Sequence, residues 1–227
     1  MAPGSCFVYH SCEIDTPMIR VLVVDDHTIF RSGVQRLLLD EADVRVTAEA
    51  RNGAEALEEL RSHSCDVVLL DINMEGRSGL DVLASMRALP HCPPVLVLSM
   101  YPEEQYAMVA VKAGASGYLQ KDSEPAELIR AIREAAGGGS YLSARAAPLV
   151  RDRMRGIDDR PPHQRLSVRE HQIMLMIVKG MSVTEIGEEM LISVKTVSTH
   201  RTNLLEKLGV AGTAELVMYA VRNGLVH

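Results

Sequence analysis

Acidic, hydroxyl and basic residues stand where the apolar runs of this chain stop. "IRVLVVDD" ends in Asp25 and Asp26, "CDVVLLD" in Asp71, "VLVLS" in Ser99, and Lys121 follows "ASGYLQ". Three carboxylates in one crevice raise one another's pKa or recruit a cation. Mg²⁺ suits them: it is a hard, octahedral ion that keeps several waters and accepts one or two carboxylates plus a phosphate. A lysine and a hydroxyl beside them can hold phosphoryl oxygens. Together the five residues could support in-line phosphoryl transfer onto a carboxylate, with Asp71 as acceptor. Any one aspartate at a strand end is more simply a turn or helix cap; it is the shared register of five that points to a site.

The elements that must position them alternate. Between Ile19 and Ala136, five short apolar or β-branched runs are each followed by a segment with helical spacing. The first helical segment places Ile29, Val34, Leu37 and Leu38 on one side, and the last places Leu128, Ile129, Ile132 and Ala136 on one face. Ser123 is a plausible N-cap for that last segment, with Pro125 in its first turn. Nearly uninterrupted apolar strands imply burial on both faces, hence an α/β fold with a doubly wound five-stranded parallel sheet. Ligands of such sheets bind outside the carboxyl ends of the strands. If strands one, three, four and five lie side by side, the five residues converge there.

The pattern breaks at "GGGSYLS". Glycines, mixed charge and Pro161-Pro162 read residues 140–164 as a linker, with a short helix possible over 144–154. Residues 165–227 then read as a small all-α four-helix unit. Ser167 with Glu170, and Ser182 with Glu185, have capping-box spacing, and Gly180 and Gly209 sit at helix ends. Two helices joined by a very short connection, about 182–190 and 193–207, suggest a helix-turn-helix whose second helix enters the major groove. Its inward positions are Val194, Val197, Leu204, Leu205 and Leu208. Its opposite face carries Lys195, Ser198, Thr199, Arg201 and Thr202.

The formal net charge of -6 excludes a wholly basic nucleic-acid protein, but it is unevenly spread. Residues 19–140 hold 12 Lys/Arg against 19 Asp/Glu, and residues 141–227 hold 12 against 9, as two domains with different partners would. Cys6, Cys12, Cys65 and Cys92 lack metal-ligand spacing and read as reduced thiols of a cytoplasmic protein. No apolar run reaches bilayer-spanning length, so no membrane partner is expected. Residues 1–18 lack the basic flank and apolar core of a signal peptide. They read as a disordered extension, or Met18 is the start.

The set "VLVVDDH", "DVVLLDINM", "SGLDVL", "VLVLSM", "AGASGYLQKD" and "LSVREHQIMLMIVKGMSVTEIGEEMLISVKTVSTHRTNLLEKLGV" resembles a two-component response regulator of the NarL/FixJ family, over residues 19–227. The resemblance implies a flavodoxin-like receiver over residues 19–139 and a LuxR-type helix-turn-helix domain over residues 165–227. Asp71 matches the phosphoacceptor, Asp25 and Asp26 the acidic metal pair, and Asn73 a backbone carbonyl ligand of Mg²⁺. Ser99 and Lys121 match the phosphate-sensing hydroxyl and lysine. Tyr118 matches the aromatic that turns inward when that hydroxyl moves toward the phosphate. On the reading helix, Ser198, Thr199 and Thr202 match base contacts, Lys195, Arg201 and Lys207 suit phosphates, and Thr196 and His200 belong to the same DNA-binding stretch. Val217 and Val221 of the last helix match a dimer contact. A sensor histidine kinase, double-stranded promoter DNA and a homodimer, on DNA or when phosphorylated, are the partners so implied.

Glu75 departs from the family, where a proline follows the methionine at this point. Two other functions stay open: a DNA-binding regulator with a degenerate receiver that ignores phosphorylation, and an aspartyl-phosphate hydrolase. The second usually carries an acid two residues after its nucleophile, where this chain has Asn73.

Overall fold

A computed structural model of the protein describes residues 18–74, 78–154 and 161–225. Glu75, the departure from the family pattern, and the proposed extension up to Pro17 lie outside the described residues. The strands β1 (Ile19–Val24), β2 (Val44–Ala50), β3 (Val67–Asp71), β4 (Val95–Ser99) and β5 (Gly117–Gln120) form one parallel sheet in the order β2-β1-β3-β4-β5. Successive residues of a strand face opposite sides. Val21, Val23, Val67, Leu69, Leu96 and Leu98 therefore pack on one side with α1 (Thr28–Leu39) and α5 (Pro125–Ala136). Leu22, Val24, Val68, Leu70 and Val97 pack on the other with α2 (Gly53–Ser62), α3 (Gly79–Arg87) and α4 (Glu103–Lys112). Burial on both faces is why these strands are continuously apolar.

Strand order reverses between β1 and β3, which opens a crevice at their carboxyl ends. Gly79 closes the floor of that crevice. A Cβ there would lie 2.2 Å from the Asp71 carbonyl oxygen, so only glycine lets α3 begin this close to the end of β3.

Three expectations about this half are corrected. Ile29 is 90% exposed, and the buried face of α1 includes Arg31 instead. The Arg31 guanidinium is satisfied by the Asp25 carbonyl at 2.7 Å and the Glu49 carboxylate at 2.9 Å. Ser123 does not cap α5: Glu124 holds that position without a side-chain cap bond, and Pro125 opens the helix. The expected linker is only partly one, although the short helix read within it is present. The Tyr141 N–H donates to the Ser116 carbonyl and its carbonyl accepts from the Tyr118 N–H, which extends the sheet edge. Beyond it α6 (Ala146–Met154) sits on α4, with Ala146 and Val150 in the receiver core. The Ser143 hydroxyl ties this segment to the Glu103 carboxylate.

After a single 3-10 turn at Pro162–Arg165 come α7 (Val168–Val178), α8 (Val183–Glu189), α9 (Val194–Leu208) and α10 (Thr213–Arg222). Ser167 and Ser182 form the two capping boxes with Glu170 and Glu185 that their spacing predicts. Ile173, Met174, Ile186, Val197, Leu204 and Leu216 make the core. In the connection between α8 and α9, Leu191 adopts φ +52, and a Cβ on Gly187 would stand 2.9 Å from the Ile192 carbonyl. The absence of a side chain at Gly187 is what brings the two helices together over so short a turn. Val194, read as inward, is 44% exposed, because α9 enters from that turn before it reaches the core.

Candidate phosphorylation site and DNA-reading helix

The parallel register of β1, β3, β4 and β5 brings all five predicted residues to one end of the sheet. Asp25, Asp71 and Ser99 are buried. The Lys121 ammonium reaches across the crevice to Asp25 Oδ2 at 2.6 Å and Asp71 Oδ2 at 2.7 Å. Lys121 itself is held over the Phe30 ring, 4.6 Å from its centroid. The Asn73 N–H donates to Asp71 Oδ1 at 2.9 Å. Burial raises the Asp71 pKa above the usual carboxylate value, while Lys121 and the Asn73 N–H oppose the rise.

Ser99 Oγ accepts from the Tyr101 N–H at 3.1 Å. Tyr118 is fully buried, and its hydroxyl donates to the Tyr101 carbonyl at 2.9 Å. Burial raises the pKa of this tyrosine above its ordinary value.

One carboxylate or imidazole atom from each of Asp25, Asp26, His27 and Asp71 lies within 4.8 Å of the others. Asp25 Oδ2 is buried, with the Lys121 ammonium 2.6 Å away. Within this group the carboxylates of Asp25, Asp26 and Asp71 are hard oxygen donors and fit Mg²⁺ by their chemistry. His27 went unnoticed in the sequence. Its ring nitrogen lies 2.7 Å from Asp26 Oδ1 and 3.1 Å from Asp25 Oδ1, and its place directly after the acidic pair was the available signal. Arg31 gave none, since an arginine on an apolar helix face looks like a misplaced surface residue.

In the second domain, Lys195, Thr196, Ser198, Thr199 and Thr202 are exposed on α9, and His200 and Arg201 are half-buried. The hydroxyls of Ser198, Thr199 and Thr202 donate to the carbonyls of Val194, Lys195 and Ser198, at 2.9, 3.0 and 3.1 Å. With the proton used on the helix, each hydroxyl offers a base edge its acceptor lone pairs, and each threonine also its methyl. Lys207 differs from its predicted role as a phosphate contact: its ammonium is bound to both oxygens of buried Glu170, at 2.8 and 2.7 Å. Arg201 donates to Thr213 at 3.2 Å. On α10, Leu216 and Ala220 face the core, Val217 is half-buried, and Val221 is 60% exposed.

The two domains meet over the crevice. Gln172 Nε2 donates to Asn73 Oδ1 at 2.7 Å. His171 stacks on Tyr101 with ring centroids 5.3 Å apart, and its Nδ1 meets the Tyr106 hydroxyl at 2.5 Å. A second cleft is bordered by Ser78, Leu80 and Asp81 of the receiver and by Thr196 and His200 of α9, so the receiver stands beside the reading helix. Sequence reasoning did not foresee this contact, because the bonded residues that make it are 65 to 99 positions apart and have no local pattern.

Comparison with known proteins agrees with this architecture. Residues 21–133 match the response regulator receiver domain, and residues 164–220 match the luxR family of bacterial regulatory proteins. The transcriptional regulatory protein LiaR of Bacillus subtilis is 37% identical over 92% of this chain and all of its own length. The response regulator UvrY of Escherichia coli is 36% identical over 92% of this chain and 97% of its own. Among solved structures, promoter-bound RcsB of Salmonella enterica serovar Typhimurium shares the fold, with a TM-score of 0.63 at 24% identity over 88% of this chain and 97% of that one. The chain belongs to the NarL/FixJ family of two-component response regulators, a receiver joined to a LuxR-type DNA-binding domain. It is a transcription regulator of that architecture.

Proposed function

We propose that Asp71 accepts a phosphoryl group from a sensor histidine kinase, and that the modified protein releases its DNA-binding domain to read promoter DNA as a dimer. The observation that carries this reading is the Lys121 ammonium bridging Asp25 and Asp71 beside Ser99. Lys121 neutralises charge on the transferring group, Asp71 supplies the attacking oxygen in line with the leaving nitrogen, and Ser99 can donate to a phosphoryl oxygen. Asp25, Asp26, Asp71 and the Asn73 carbonyl would hold Mg²⁺, and the bound ion would offset the repulsion among the carboxylate and phosphoryl oxygens. Addition of a phosphoryl group near two further carboxylates strains the closed crevice, and this biases the domain equilibrium.

Asp25, Asp71 and Ser99 are buried in one closed crevice, and the Asn73 side chain is engaged by Gln172. Both features favour a phosphorylation switch over an aspartyl-phosphate hydrolase, which would need an acid at that position and an open approach for substrate. On α9, Lys195 and Arg201 hold phosphates while Ser198, Thr199 and Thr202 face base edges, with Thr196 and His200 at the margin now facing the receiver. Val217 and Val221 form the contact between two copies. RcsB has been solved as dimers on DNA, which supports a dimer here. No described helix is long and apolar enough to cross a membrane, in keeping with a cytoplasmic place of action.

The test is incubation with acetyl phosphate and Mg²⁺. The wild type acquires one labelled phosphoryl group and shifts promoter DNA more strongly, whereas Asp71→Asn does neither. Equal labelling of the two forms would remove Asp71 from the role, and an equal DNA shift with and without phosphate would favour the phosphorylation-independent reading.

A further inference from the structure

Gln172 and His171 are consecutive residues in the first turns of α7, and each touches a receiver residue that itself touches the Asp71 pocket. Gln172 Nε2 donates to Asn73 Oδ1 at 2.7 Å, and the Asn73 N–H donates to Asp71 Oδ1 at 2.9 Å. His171 stacks on Tyr101, whose N–H donates to Ser99 Oγ and whose carbonyl accepts from the Tyr118 hydroxyl. Both chains of contacts are two steps long, and both end on groups assigned to the phosphoryl site. A cavity of about 210 Å³ lies at the mouth of the pocket, with Asp26, His27 and Asn73 on the receiver side and Arg169, Gln172 and Glu189 on the other. The DNA-binding domain is thus one wall of the space next to Asp71.

We propose that the start of α7 reads the state of Asp71, with Gln172 acting through Asn73 and His171 through Tyr101. This rests on Asp71 being the phosphoacceptor. Gln172 is a positioning residue, since it touches no reacting atom. Its hydrogen bond holds Asn73, and with it the segment that leaves β3, in the arrangement that suits an unmodified Asp71. A phosphoryl group adds three oxygens beside Oδ1, the atom that now accepts the Asn73 N–H, so Asn73 must shift to accommodate it. That shift costs the bond to Gln172. Closure of the DNA-binding domain and modification of Asp71 therefore compete for one residue. Competition between two states of one molecule is reciprocal: what loosens α7 eases phosphorylation, and phosphorylation loosens α7.

The test uses the full chain as wild type, Gln172→Ala, Asn73→Ala and the double variant. Two quantities are measured: the rate of labelling by acetyl phosphate, and the affinity of unphosphorylated protein for a pool of random-sequence duplexes. Gln172→Ala raises both by roughly three- to tenfold, the effect of one net hydrogen bond. In the Asn73→Ala background the same change has no further effect, which a general loosening of domain packing would not produce. If Gln172→Ala alters neither quantity, lowers them, or acts equally in both backgrounds, the inference is overturned while labelling of the wild type leaves the Asp71 assignment standing. If the wild type takes no label but Gln172→Ala still raises DNA affinity only when Asn73 is present, the contact stands and the phosphoacceptor assignment falls.

Discussion

Lys121 is paired with two buried carboxylates of the crevice at once. Its ammonium is buried with two carboxylates, and removal of one partner from such a cluster typically costs about 3–5 kcal/mol, because the remaining charges stay buried without compensation. Lys121→Met should lower stability to urea by roughly that amount at pH 7. Part of the loss should return when Mg²⁺ is added, and part as pH falls. The second effect has a definite sign. Burial raises the folded-state pKa of Asp71 above its ordinary value, so the folded chain binds this proton more tightly than the unfolded chain. The contribution of that group to stability therefore grows as pH drops through the interval between the two pKa values. Urea titrations of Lys121→Met across acid pH check this; a variant still less stable in acid would contradict it. A second pair of changes separates two kinds of glycine. Gly79→Ala meets the Asp71 backbone at 2.2 Å and should cost at least about 1–3 kcal/mol, whereas Gly33→Ala meets nothing within 4 Å in α1 and should gain up to about 1 kcal/mol.

At the scale of elements, α7 and α9 do different work. His171 on α7 sits in a buried aromatic pocket, and burial lowers its pKa to about 4, with the charge of His163 adding a smaller push. Tyr101 and Tyr106 face it from the receiver side, and His163 from the preceding 3-10 turn. When the domains separate, the imidazole returns toward its ordinary value near 6.5. The contact is therefore at full strength above that pH and weakens as pH falls from about 6.5 toward 4. Small-angle scattering should show the unphosphorylated chain expanding between pH 7 and pH 5, and His171→Phe, which keeps the ring but cannot take the proton, should suppress that expansion. On α9 the expected division is between charge and hydroxyl. Lys195→Ala should weaken binding to all duplexes alike and reduce the salt slope by about one, while Thr199→Ala should relax preference at one base position with the slope unchanged.

For the whole molecule, the closed arrangement places the receiver against the margin of the reading helix and α7 against the phosphoryl pocket. One motion then exposes both. Under the proposed function DNA and phosphoryl group both favour the open form, and thermodynamic linkage requires that each raise the other's equilibrium constant by one common factor. Saturating promoter DNA should raise the equilibrium extent of labelling by acetyl phosphate as many-fold as phosphorylation raises DNA affinity. A stimulation of one without the other would show that the domains move independently.

The sequence by itself determined the architecture and the pocket. Apolar runs of strand length ending in Asp25, Asp71 and Ser99 specify a parallel sheet buried on both faces, and the strand-end rule then puts those residues together. Ser167–Glu170 and Ser182–Glu185 likewise mark the helices of the second domain through purely local bonds. These features were legible because strand alternation and helix capping act over a few residues. Tertiary structure alone decided the rest. Arg31 turns inward because the Asp25 carbonyl and Glu49 await it. Ile29 turns outward because α1 rotates to bury Val34 and Leu38. Tyr141 and α6 join the receiver because the outer edge of β5 and the face of α4 are left uncovered without them. Lys207 meets Glu170 rather than solvent, and Gln172 meets Asn73, because helix packing and domain closure bring together residues 37 and 99 positions apart. Contacts of that range depend on how finished elements pack against one another, and no spacing along the chain records it.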